Sequence, residues 1–173
     1  MKFSLAISTI TLCGLTLNLD SATANAADSG RQAKVQARGA GVMPFELKAT
    51  THVFTPSPDG GIQQVVAKNQ LDNMQIHLIR EHLQKIADEF SKGNFSEPAH
   101  IHGAAMPGLI ELRQAKAGEI KVIYQDLPNG GQIRYSTAKP SLVAALHRWF
   151  DAQLFDHGSD ATRGGHHHGT PHE

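Results

Sequence analysis

The sequence predicts an α+β domain in which two ββα units form a four-stranded antiparallel sheet with helices on one face, plus a connecting helix. Three observations carry that expectation. First, one order of signals occurs twice: "HVFTPSPDGGIQQVVAK" runs into "LDNMQIHLIREHLQKIADEF", and "KVIYQDLPNGGQIRYSTAK" runs into "PSLVAALHRWFDAQLFDHG". Second, Asp59-Gly60-Gly61 and Asn129-Gly130-Gly131 supply the positive-φ residues that hairpin turns need. Third, Ile120, Val122 and Tyr124, then Ile133 and Tyr135, alternate with more polar neighbours, so one sheet face is buried. A single ββα unit cannot bury its sheet face, whereas two joined units can.

The elements follow in chain order. Residues 1–26 read as a secretory signal: Lys2 gives a positive start, Phe3 to Leu17 is uncharged and mostly apolar, and Ala24-Asn25-Ala26 is a small-residue cleavage signal. That run is too short and mixed for a membrane span, and no membrane insertion is expected after cleavage. Leu12 before Cys13 argues against a lipidated cysteine. Residues 27–44 are small, polar and Gly/Ala-rich and read as a flexible leader. The domain is expected over 45–157, and 158–173 as a disordered His-rich tail. Between the repeats, a third helix is expected over about Ala104 to Ala117, with Pro107 in its first turn.

Cleavage after Ala26 leaves 147 of the 173 residues, enough for one domain with a core. It removes the only cysteine, so the exported chain has neither disulfide nor thiol ligand. Lys2 and Asp20 go with it, leaving 15 basic and 15 acidic residues. Zero net charge argues against a nucleic-acid partner and against a polybasic membrane patch.

Histidine is the unusual residue: all eleven lie beyond position 26. At 100° per residue along 71–91, Ile79, Leu83, Ile86 and Phe90 share one arc, and His82 falls about 40° from Ile86. His82 should face inward and His77 outward. In the last helix His147 sits at the shoulder of the apolar stripe, one turn before Asp151, a carboxylate placed to fix its tautomer. His157, followed by Gly158, is either the stripe's continuation or a helix C-terminus. His100 and His102 form an H-x-H in a segment bounded by Pro and Gly, and Met106 would stack on His102 at i, i+4 if both begin the third helix. His52 precedes Val53-Phe54 at a strand start.

Imidazoles from separate elements suit copper, zinc, nickel and iron, and a thioether selects copper. The expected function is an exported, periplasmic metal-binding protein using His102, Met106, His82, His147, His52 and His100, with copper as the metal, or zinc. Haem ranks below both, and would be non-covalent because no C-x-x-C-H occurs. The alternatives are a small metal- or His-dependent enzyme and an interaction module with an apolar free sheet face. No H-E-x-x-H, G-x-S-x-G, P-loop or Rossmann glycine pattern is present.

The blocks "VFTPSPDGGIQQVVAK", "FSEPAHIHGAAMPGL" and "LVAALHRWFDAQLFDHG" resemble a family of small exported bacterial proteins that often carry the name aspartate carbamoyltransferase. The resemblance spans roughly residues 50–160 and implies no assigned function. True carbamoyltransferases have two doubly wound domains, about 300 residues in all. They also have an S-x-R-T-R phosphate segment, where this chain has "RYSTAKP" at 134–140. That activity is not expected of a chain with room for one domain.

Overall fold

A computed structural model describes residues 19–165. The segment 1–18 and the tail histidines His166, His167, His168 and His172 lie outside the described residues. Among the described residues no helix is long and apolar enough to cross a membrane. The fold is α+β, with the two repeat helices where they were expected and a sheet one strand larger than expected.

The first repeat forms β1 (Thr50–Ser57), β2 (Gly60–Ala67) and α2 (Asn73–Ser91), preceded by α1 (Leu19–Ala40). Two short helices follow, α3 (Ser96–His102) and α4 (Leu109–Gln114). The second repeat is β3 (Lys121–Leu127), β4 (Gly130–Ser136) and α5 (Pro140–His157). The chain ends in a 3-10 turn and β5 (Ala161–Arg163). The sheet order is β3-β4-β2-β1-β5. Its first four strands are antiparallel, and the two repeats meet where β2 pairs β4, from Gly60 opposite Ser136 to Val66 opposite Gly130.

Four expectations are corrected. The sheet has five strands and is mixed: β5 runs parallel to β1, with His52 opposite Ala161. Residues 158–163, expected as tail, therefore belong to the fold. Residues 28–40 of the expected leader lie in α1, which packs on α5 and α3. Val35 is buried there, so a single apolar residue on a polar helix anchors it. The backbone of α1 also runs through Ala24-Asn25-Ala26. Finally, the helix expected over 104–117 covers only 109–114. Gly108 sets that limit: its φ is +78°, and a Cβ there would meet the Ala145 carbonyl oxygen at 2.1 Å. The chain must pass α5 in a left-handed conformation before a helix can start.

The Gly-Gly pairs serve close packing as well as turning. The turn residues themselves are Pro58-Asp59 and Pro128-Asn129. Gly61 lies on the buried face, where a Cβ would stand 2.4 Å from the ring of Phe150. Glycine at this position lets α5 seat directly on β2.

α2 and α5 cover one sheet face. α2 is N-capped by Asp72, whose carboxylate accepts from the Gln75 N–H at 3.1 Å. Between sheet and helices lie Phe54, Val65, Ile133 and Tyr135 against Ile79, Leu83, Phe90, Leu146, Trp149 and Phe150, each 3 % exposed or less. At the β1 end this core turns polar, with His52, Gln63, His82, His102, Gln153 and Asp156 all buried.

Candidate metal centre

Four elements bring imidazoles to one buried pocket. β1 alternates inward and outward, and its inward set is Thr50, His52 and Phe54. α2 places His82 on its buried stripe beside Ile79, Leu83 and Ile86, as its helical angle predicts. α3 ends on His102, and α5 ends on His157. All four rings line one small cavity of about 40 Å³, together with Met43, Gln63, Trp149 and Gln153.

The rings touch. His52 and His157 stack with centroids 4.4 Å apart and planes 24° apart. His102 meets His157 edge-on at 5.3 Å. His82 stands edge-on to Phe45 at 5.5 Å, and Phe45 lies 6.4 Å from His52. Neither ring nitrogen of His52 has a hydrogen-bond partner, although the residue is 4 % exposed. Gln153 Oε1 and Trp149 Nε1, lining the same cavity, are also buried without a partner. Leaving such a side chain unpaired costs about 1–3 kcal/mol, so this end of the core is built against its own stability.

His102 is held from behind. Its Nδ1 lies 2.8 Å from Asp156 Oδ2, both side chains being buried. Arg31, reaching from α1, donates through Nε to Asp156 Oδ1 at 2.5 Å and through Nη2 to Oδ2 at 2.8 Å. Its Nη2 also donates to the His102 carbonyl at 3.2 Å. Burial pushes the Asp156 carboxyl up, but the bonds from His102 and Arg31 outweigh it and hold the group below its ordinary value. A charged carboxylate accepts an N–H at Nδ1 and so orients the ring with Nε2 turned away from it, the arrangement in which a ligand histidine is held.

Burial also keeps the other imidazoles neutral. It drives His52 well below its ordinary value, helped by His157, His102 and His82. It lowers His82 against a partial counter-pull from Glu97. It lowers His157 to about 4, with His102 adding to the effect.

The remaining expected residues lie elsewhere. His147 donates from Nε2 to the carbonyls of Ser57 and Gly60 at 3.0 and 2.9 Å, pinning α5 to the β1–β2 turn. Its expected partner Asp151 instead pairs with Arg163 of β5. Because α3 is helical, His100 and His102 diverge by about 200°; His100 is exposed while His102 is buried. Gly103, with φ +96°, ends α3, so Met106 is not on the same helix as His102. Met106 is 2 % exposed in the core, and meets His102 only along the outer groove between the α3–α4 loop and α5. The thioether that does line the imidazole cavity is Met43, from a segment read as leader.

His157 and Asp156 were the residues sequence reasoning left out of the site. Adjacent at a helix end, they face different neighbours, and only the fold supplies His102, 54 positions away, as the partner of Asp156. Among the described residues, no group of three or more His, Cys, Asp or Glu side chains is placed so that it could hold a metal ion. The chain matches no family model, no curated protein and no solved structure.

Proposed function

We propose that this is an exported metal-binding protein holding one copper ion, or zinc, at His52, His102 and His157, with His82 and the Met43 thioether at the margin. The observation that carries this reading is His52: a neutral, buried imidazole with both nitrogens unpaired, stacked against a second imidazole and close to a third. A ring packed for stability would have a partner for at least one nitrogen. His157 is the shared neighbour, stacked on His52 and edge-on to His102, so the three rings form one contiguous cluster. The oriented His102–Asp156–Arg31 chain is what a ligand histidine requires. Imidazoles with one thioether, and no thiol, favour copper over zinc. A cavity of about 40 Å³ admits an ion with a water and has no room for haem.

The test is metal titration of protein in which His166, His167, His168 and His172 are replaced by Ala, so that the tail cannot bind. One equivalent of copper should be retained after dialysis, and His52→Ala or His102→Ala should abolish it. Equal retention by the parent and both variants would overturn the reading. A second reading, metal-free acid–base chemistry at His102, is favoured only by the His102–Asp156 pair facing the outer groove of about 600 Å³. It requires activity in the presence of chelators.

A further inference from the structure

Beyond the stacked pair His52 and His157, beneath α1, lies a second cavity of about 210 Å³. One side of α1 roofs it: Gln32, Val35, Gln36 and Gly39 fall together at helical spacings of three and four. Val35 and Gly39 meet Met43 and Leu47 there as an apolar wall. His52 and His157 border both this cavity and the smaller one. His52 is 4 % exposed and neither ring nitrogen has a partner, so it brings an unmet donor and an unmet acceptor to this space. Lys48 and Asp160 complete the lining.

The charge on this wall is not balanced. The single carboxylate of Asp160 answers two ammonium groups, Lys48 at 2.7 Å through Oδ2 and Lys68 at 3.3 Å through Oδ1. The other carboxylate of the lining, Asp156, is matched by Arg31. Lys48, Lys68 and Arg31 thus face two carboxylates, which leaves one positive charge in surplus. His52 and His157 add none, because burial holds both rings neutral. Lys48 is the group that can turn to a ligand: Lys68 stays on Asp160 and keeps that carboxylate paired.

We propose that this cavity binds a small hydroxycarboxylate, its carboxylate on the Lys48 ammonium, its short carbon chain against Val35, Met43 and Leu47, and its hydroxyl on His52. The inference goes beyond the metal-binding reading and needs no ion. Surplus charge sets the sign of the ligand: a monoanion brings the wall to neutrality, whereas a cation adds to the excess. The His52 ring sets the second polar group: a hydroxyl both donates and accepts, so it satisfies a neutral imidazole whichever nitrogen carries the proton. The apolar wall between them sets the body of the molecule.

The probe is β-hydroxybutyrate, titrated at constant ionic strength into the full chain freed of metal on a chelating resin. Amide chemical shifts of Val35, Gly39, Leu47 and His52 report binding. Saturable shifts at these positions are expected, with a Kd in the millimolar range or below. β-Hydroxybutyramide, the uncharged twin, should bind about tenfold more weakly, and butyrate, which lacks the hydroxyl, about threefold. Lys48→Gln, at an exposed side chain, should weaken the acid about tenfold and leave the amide unchanged. The ligand series needs no variant and stands if Lys48→Gln fails to fold. Absence of saturable shifts, equal binding of acid and amide, equal binding of butyrate, or a folded Lys48→Gln variant that binds the acid as the parent does overturns the inference. The copper titration is independent of it: failure of either leaves the other standing.

Discussion

Replacing His52 with leucine should make the metal-free protein more stable, and increasingly so in acid. The substitution removes two buried nitrogens that have no partner, which relieves about 1–3 kcal/mol. It forfeits the stack on His157, worth about 0.5–1.5 kcal/mol. The net gain near pH 7 is about 1 kcal/mol. The pH term adds to this. The folded-state value of His52 is driven well below 6.5, so the unfolded chain takes up a proton there that the folded chain refuses. Stability from this group is complete above 6.5 and drains away as pH falls below it. At about 1.36 kcal/mol per unit, the loss in the parent reaches about 2 kcal/mol by pH 5. His52→Leu escapes that loss, so its advantage should grow from about 1 to about 3 kcal/mol between pH 7 and pH 5. Urea unfolding at both values, with chelator present, measures it. A variant destabilised at pH 7, or an advantage that does not widen by pH 5, would refute the view that this ring is held unpaired and neutral at the protein's expense.

Other outcomes follow from the same geometry. Asp156→Asn should lower metal affinity about 10- to 100-fold and free the Arg31 guanidinium, read by competition against a chromogenic chelator. Met43→Leu should weaken Cu(I) more than Zn(II), since only the former favours a thioether; parallel titrations of the two ions decide it. Gly108→Ala forces a Cβ to within 2.1 Å of the Ala145 carbonyl at a positive φ, and should cost about 3 kcal/mol or more in thermal or urea unfolding. Protons compete with a metal only below each ligand's own value, so with His157 lowered to about 4 bound metal should be held down to about pH 4 and released below it, followed by its optical signal.

The two ββα units were legible because hairpin periodicity, Gly-Gly pairs and apolar stripes are local signals, and each agreed with the final packing. The inward direction of His82 was legible for the same reason: a helical angle needs no tertiary knowledge. α1 was not, since its composition is polar and its attachment depends on Val35, Met43 and one guanidinium whose partner lies 125 positions away. The divergence of His100 and His102 was missed because Pro98 and Gly103 read as loop boundaries, whereas Pro98 sits in the first turn of α3 and Gly103 terminates it. His147 and Asp151 have helical spacing that suits a pair, yet each finds a nearer partner across the fold. β5 was hidden because three residues, Ala161–Arg163, carry too little pattern to announce a strand.

Arg31 and Asp156 stand near opposite ends of the chain, 125 positions apart, and between them they hold His102 from the middle. A growing chain that has passed His102 but not yet delivered Asp156 has nothing to orient that ring. The pocket therefore closes only when α1 and α5 meet. Whatever His102 faces in that pocket, the ring is oriented for it only once α1 has met α5.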